Sequence, residues 1–265
     1  MSDATTIVVG AGYVGQRVIE KLAEPGTIKL DRTASLDLDT DDALPVELPN
    51  TYCVLYTVPP SVEHEEDLRL VKLLGMLKPV PERFVYISTS GVYGDCDGAL
   101  VDETAAVRPT TARAKRRAQA EHCLQEWAVS KNVRLYILRT PGIYGPGRLG
   151  LERIRSLVPI VRESEAYPGN RIQVTDLVSC CIAALQGDAP EGIYNVGDGD
   201  HRSSTWFSQE VARQAGLPTS PETGHDGATR RSDDSRRVAT SRMRDQLGVT
   251  PQYPNAEDGI RASLL

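Results

Sequence analysis

Gly10, Gly12 and Gly15, in the run TTIVVGAGYVG from Thr5 to Gly15, have the spacing of a phosphate cradle. A glycine at 10 permits a tight turn, one at 12 lets the backbone approach a pyrophosphate, and one at 15 lets a helix pack closely on a strand. Tyr13 and Val14 lie where that helix begins, and its first N–H groups have no intrahelical partner and point at the anion. Asp31 follows Gly10 by 21 residues, at the end of the next apolar run. A carboxylate there hydrogen-bonds the ribose hydroxyls of NAD and repels the 2′-phosphate of NADP. Arg32 beside it would do the opposite. Two unit charges ~4 Å apart at an effective dielectric of ~20 interact by about 4 kcal/mol, so the orientation of these two side chains decides the cofactor. The reading leans to NAD. An ordinary glycine turn is the competing reading, and the strand before and helix after the glycines argue against it.

The elements that must position these groups follow from hydrophobic periodicity. Ile7–Val9 reads as a fully buried strand, and Val14, Val18 and Leu22 recur at helical spacing until Pro25-Gly26. A short strand is expected around Leu36–Leu38, within an acidic stretch that reads as a solvated face rather than a metal site. Tyr52–Val58 is a buried strand halted by Pro59-Pro60, and residues 61–78 are an amphipathic helix with Leu68, Val71, Leu74 and Leu77 on one face. Arg83–Ser88 and Val133–Leu138 are further strands, with a helix over Thr111–Lys131 between them. This alternation predicts an α/β, Rossmann-like doubly wound parallel sheet, with ligands beyond the carboxyl ends of the strands. Past Arg148 the pattern loosens into helices at 151–162, Asp176–Leu185 and Ser204–Ala215, a strand at Ile193–Val196, a charged loop at Gly224–Arg237 and a last helix near Thr240–Leu247. The expected division is a dinucleotide-binding domain over 1–148, to which 172–197 returns, and a small lobe over 149–171 and 198–265.

The bulk numbers narrow the classes. A net charge of −6 argues against nucleic acid as a main partner, and no apolar run reaches the ~20 residues of a membrane span. The chain enters its first strand by about residue 5, which leaves no room for a signal peptide and predicts a cytoplasmic protein. The five cysteines are odd in number and lack metal-ligand spacing, so no metal is expected, and Cys180-Cys181 reads as core filling.

Five stretches, VVGAGYVG, YISTSGVYGD, LRTPGIYGPGR, RIQVTDLV and GIYNVGDG, occur in the order found in the extended short-chain dehydrogenases/reductases, the NAD-dependent epimerase/dehydratase group. The chain resembles that family over nearly its whole length. The resemblance implies a nicotinamide cofactor across the strand ends and a C-terminal lobe that holds the substrate, commonly a nucleotide sugar. Thr89 matches the hydroxyl residue that binds the reacting oxygen. Thr57, Val58 and Pro59 match the segment beside the cofactor's second ribose, and Pro141 and Ile143 match the segment beside the nicotinamide carboxamide.

The family's Tyr-x-x-x-Lys pair has no counterpart in PTTARAKRRAQAEH. Alignment on Lys115 puts Thr111 at the tyrosine position; alignment on Glu121, the preferred register, puts Arg113 and Arg117 at the two positions. Free tyrosine titrates near ~10, and lowering it by about three units takes roughly 4 kcal/mol of preferential stabilisation of the anion. Arginine stays protonated above ~12 and exchanges no proton at neutral pH. Arg113 is suited instead to a carboxylate or phosphate, and Arg117 to a ribose hydroxyl. Tyr93 and Tyr144 sit in family loops near the cleft but are ordinary residues there. His64, His122 and His201 read as surface or structural, and His225 reaches the cleft only if its charged loop closes. Two functions compete: an NAD(P)-dependent oxidoreductase or epimerase/dehydratase-like enzyme with non-standard acid/base groups, and a catalytically inactive NAD(P)-binding sensor or scaffold. A monomer and a homodimer are both compatible with the charge on Arg113, Lys115, Arg116 and Arg117.

Overall fold

The computed structural model describes residues 5–23, 26–33, 35–225 and 235–265. In chain order, β1 (Thr5–Val9), α1 (Gly15–Leu22), β2 (Ile28–Leu30), β3 (Tyr52–Tyr56), α2 (Leu68–Met76) and β4 (Arg83–Thr89) build the first half. After a 3-10 turn at Ser90–Tyr93 come β5 (Leu100–Val101), α3 (Ala112–Lys131), β6 (Arg134–Thr140), β7 (Gly142–Tyr144), α4 (Leu151–Arg155), β8 (Ile160–Val161), β9 (Arg171–Gln173), α5 (Val174–Gln186) and β10 (Gly192–Asn195). The chain ends with α6 (Ser204–Gln214), β11 (Glu222–Thr223), β12 (Arg237–Val238), α7 (Ser241–Asp245) and α8 (Ala256–Leu264).

Six strands form one parallel sheet in the order β10-β6-β4-β3-β1-β2. The chain leaves β1 toward β2 on one side and returns to β3 on the other, so the carboxyl ends of β1 and β3 flank the crevice where such sheets bind ligands. Every residue of β3 is buried, because helices cover both faces. Val8, Leu55, Val85 and Leu138 face α1 and α5, where Val18, Leu177, Cys180 and Cys181 complete the layer. Ile7, Val54, Phe84 and Ile137 face α2 and α3, against Leu70, Leu73 and Leu124. Neighbours along each strand thus serve opposite layers, as the period of two requires. Among the described residues no helix is long and apolar enough to cross a membrane.

Several expected elements differ. Leu36–Leu38 is not a strand: Asp37 Oδ1 accepts the Asp39 N–H and the Asp37 N–H donates to Asp41, so local side-chain bonding favours turns. Leu36 and Leu38 still fill the core beneath α2 and α3. The helix expected over 61–78 starts only at Leu68, capped by Asp67, whose carboxylate accepts the Leu70 N–H. Its buried face is Leu70, Leu73 and Leu74, with Leu77 just past its end, while Leu68 and Val71 are exposed. Over 151–162 only Leu151–Arg155 is helical; Pro159 removes an N–H, and Ile160–Val161 pairs with Glu222–Thr223 instead. The chain ends with α8, an element the sequence reading left out, started by Asn255, whose side chain accepts from the Asp258 N–H. Pro25 and residues 226–234 of the expected charged loop lie outside the described residues.

Candidate functional site

The glycine turn after β1 has the geometry its spacing implies. Gly10 adopts φ +96°, and a Cβ there would lie 2.8 Å from Thr57 Oγ1. A Cβ on Gly15 would lie 2.1 Å from the carbonyl oxygen of Gly10, so the close approach of α1 to β1 requires glycine. Gly12 is different: a Cβ there meets nothing within 4 Å. Its backbone borders open space at the start of α1. The first turn of α1 has no acidic residue, and Val14 at its N-cap makes no side-chain cap bond. Leaving these N–H groups to an anion fits the pyrophosphate of a dinucleotide. Thr57 continues the wall, its N–H bonded to the Val9 carbonyl at 2.9 Å and its Oγ1 against the Gly10 carbonyl. Val58 and Pro59 follow, and the Pro59 carbonyl accepts from Arg69. Tyr13 donates from Oη to the Pro146 carbonyl at 3.0 Å, and the guanidinium carbons of Arg17 and Arg148 each lie 4.0 Å from its ring centroid.

Asp31 and Arg32 point differently. Asp31 pairs with Lys29 Nζ at 2.8 Å and accepts the Thr33 N–H and hydroxyl; the Lys29 bond, aided by Thr33, holds its carboxyl below the usual range. Arg32 is directed to Asp37 at 3.3 Å and Asp39 at 3.7 Å. The arginine is therefore engaged by the acidic loop, while the carboxylate stays at the end of β2.

Thr89, at the end of β4, lies beside Thr140 of β6 in register. Its Oγ1 accepts the Gly91 N–H at 3.1 Å, which starts the 3-10 turn and leaves the hydroxyl proton to donate elsewhere. Pro141 and Ile143 follow Thr140, Ile143 within β7. Helix α3 begins at its cap Thr111, whose side chain accepts the Ala114 N–H. Arg113 is exposed in the first turn. Arg117 is buried and donates to Tyr86 Oη at 2.9 Å, within the seam between α3 and the sheet. The glycine turn, Thr57, Thr89 and Pro141 thus share the carboxyl edge of the sheet, whereas Arg117 points inward.

Sequence reasoning missed two buried groups behind this edge. Glu121 and Arg139 form an ion pair, Oε2 to Nη2 2.7 Å, each side chain 4% exposed, with Ser88 donating to the same carboxylate. The pair ties α3 to β4 and β6 just behind Thr89. Asp198 lies past the end of β10, 5% exposed, with Oδ2 lacking a hydrogen-bond partner. The sign available in the sequence was an aspartate in an otherwise glycine-rich strand end, GIYNVGDGD. Of the two cleft tyrosines, Tyr93 donates to Asn195 Oδ1 at 2.7 Å, whereas the buried Tyr144 Oη has no hydrogen-bond partner among the described residues, and burial pushes both above the ordinary tyrosine range.

The comparisons agree with this architecture. The chain is 25% identical over 195 residues to the dTDP-D-glucose 4,6-dehydratase of Homo sapiens, covering 69% of this chain and 55% of that protein. It thus spans about half the length of the curated relatives it matches. A conserved protein of unknown function from Silicibacter pomeroyi superposes with a TM-score of 0.78 at 26% identity, covering 98% of both chains. MoeE5, solved in complex with UDP-glucose and NAD, superposes at 0.79 and 19% identity over 98% of this chain and 97% of its own, a likeness of fold. Residues 64–197, just over half of the chain, match the model of the NAD dependent epimerase/dehydratase family, and with the parallel sheet and its glycine turn this makes the chain a member of that family.

Proposed function

We propose that the protein is an NAD-dependent enzyme of the epimerase/dehydratase type, acting at a hydroxyl-bearing or carbonyl carbon of a nucleotide sugar. The observation that carries the reading is the open space at Gly12 beside the uncapped start of α1, in a chain of this family. A bound nicotinamide would supply a reversible hydride acceptor. Gly12, Tyr13, Val14 and Gly15 would hold the pyrophosphate by backbone N–H groups, Gly10, whose own N–H donates to the Leu30 carbonyl at 2.8 Å, would shape the turn, and Asp31 would accept from the adenosine ribose hydroxyls. The turning of Arg32 toward Asp37 and Asp39 supports NAD over NADP. Thr57, Val58 and Pro59 would border the second ribose, and Pro141 and Ile143 the carboxamide. Thr89 would donate its hydroxyl proton to the substrate oxygen, polarising the reacting carbon, and Arg113 would meet an anionic group of the substrate. Arg117, held by Tyr86, supports the wall of the site rather than exchanging a proton. A unit over 1–148, completed by 172–197, and a lobe over 149–171 and 198–265 are supported by the small core in which Leu149, Ile154, Val211, Ala212 and Ile260 pack with Tyr144, while Met243, Leu247 and Val249 join the core of the sheet.

Calorimetric titration with NAD, NADH, NADP and NADPH tests the cofactor, with NAD or NADH expected to bind tightest. Conversion of UDP-glucose to an epimerised or dehydrated product, with reduced nicotinamide appearing only transiently on the protein, tests the reaction. A Thr89→Ala variant should bind NAD as wild type does and lose turnover by about 100-fold; full activity in that variant refutes its assignment.

A further inference from the structure

No helix or strand forms between Leu30 and Tyr52 among the described residues, so side-chain bonds must place that loop. Leu36 and Leu38 anchor its first part in the core. Beyond them, two residues of α2 take over. Arg69 donates from Nε to Asp39 Oδ1 at 2.7 Å and from Nη2 to Asp39 Oδ2 at 2.6 Å. Its Nη1 donates to the Pro59 carbonyl at 3.1 Å. Lys72, about one turn later, pairs with Asp42 at 3.0 Å.

The three arms of Arg69 join parts of the chain that the sheet sets apart. β1 lies between β2 and β3, so the loops that follow β2 and β3 stand on the two sides of the crevice above β1. Asp39 belongs to the first loop and Pro59 to the second. Asp39 Oδ2 also faces Arg32 Nη2 at 3.7 Å, and Arg32 is next to Asp31 in the chain. One guanidinium is thus tied directly to Pro59 and, through Asp39 and Arg32, to the segment that carries Asp31. These are the two segments assigned above to the cofactor riboses.

The two grips of α2 differ in kind. The Arg69 side chain is 19% exposed, and its planar fork on a carboxylate fixes direction as well as distance. Asp42, the partner of Lys72, is 91% exposed, and a point charge paired in solvent fixes little. We propose that Arg69 is a positioning residue of the cofactor site, holding the loops after β2 and β3 at the spacing NAD requires before NAD binds. The proposal rests on the NAD-binding reading above. Without Arg69 the loops are ordered only as the cofactor enters, and that ordering is taken from its affinity.

Calorimetry on the full chain tests this with NAD and with ADP-ribose, which carries both riboses and the diphosphate but no nicotinamide. Arg69→Met should weaken both ligands by the same factor, about five- to tenfold. Asp39→Ala should weaken NAD similarly, and the double variant no more than the stronger single one, because both remove one contact. Lys72→Met should stay within about twofold of wild type. Arg69→Lys should regain only part of the affinity, since one ammonium cannot hold the Asp39 fork and the Pro59 carbonyl together. Wild-type affinity in Arg69→Met, an equal loss in Lys72→Met, additive losses in the double variant or full recovery in Arg69→Lys each overturn the proposal and leave the NAD reading standing. A wild type that binds neither NAD nor ADP-ribose overturns that reading, and the role of Arg69 with it.

Discussion

Gly12 and Gly15 stand three residues apart in one motif, yet the structure gives them opposite responses to substitution. A Cβ at Gly12 enters open space, and Gly12 is not among the positive-φ glycines, so an L residue fits its backbone. Gly12→Val should leave the cofactor-free protein as stable as wild type or raise it by up to about 1 kcal/mol, because the unfolded chain loses freedom. The same side chain occupies the space assigned to the pyrophosphate. NAD at about 100 times its wild-type Kd stabilises the wild type by about 2.7 kcal/mol, a rise of roughly 5–10 °C in a chain of this size. In Gly12→Val that rise should vanish. Gly15→Ala should behave the other way, because its Cβ would sit 2.1 Å from the Gly10 carbonyl oxygen and 3.2 Å from Val8 Cγ1. Helix and strand must separate, at a cost of about 1–3 kcal/mol, before any ligand is added. Thermal unfolding of both variants, with and without NAD, reads the two effects separately. A full NAD shift in Gly12→Val refutes the cradle, and an unperturbed Gly15→Ala refutes the packing.

Removing Glu121 leaves the Arg139 guanidinium buried without its counter-ion, so Glu121→Leu should lose about 3–5 kcal/mol in urea unfolding, and Glu121→Leu with Arg139→Met should regain much of it. A single variant within about 1 kcal/mol of wild type contradicts this. Asp198 gives a pH signature. Burial raises its folded-state acid to about 7 from the ordinary aspartate value of about 3.8, so its stabilising contribution is full below that lower value and is lost as pH rises toward the upper one. Asp198→Asn should therefore gain on the wild type across this window, by up to about 4 kcal/mol above pH ~7; a stability difference that is flat with pH rules the raised acid out. Asp31→Ser removes the carboxylate proposed to meet the ribose, so the ratio of NADP to NAD affinity in calorimetry should rise about tenfold or more, and an unchanged ratio excludes Asp31 from cofactor choice.

The sequence by itself determined what depends on near neighbours along the chain. Continuous β-branched and aromatic runs became the strands of the sheet, the three glycines became the turn, and Thr111 capped α3, because strand periodicity, φ freedom and capping act within a few residues. Where two local preferences competed, the result was not legible. The aspartates around Leu36 and Leu38 closed turns, although both leucines entered the core. Helical spacing in α2 offered two leucine-rich stripes, and only packing on the sheet selected Leu70, Leu73 and Leu74. Charge was the least legible property. Arg32 turned to Asp37 and Asp39, Arg117 to Tyr86, and Asp198 and Asp200 parted in protonation, since each outcome depends on burial and on partners contributed by other elements. Local sequence determines backbone conformation through short-range sterics and hydrogen bonding, whereas the protonation and direction of a charged side chain depend on the dielectric and the counter-charges that the completed fold brings to it.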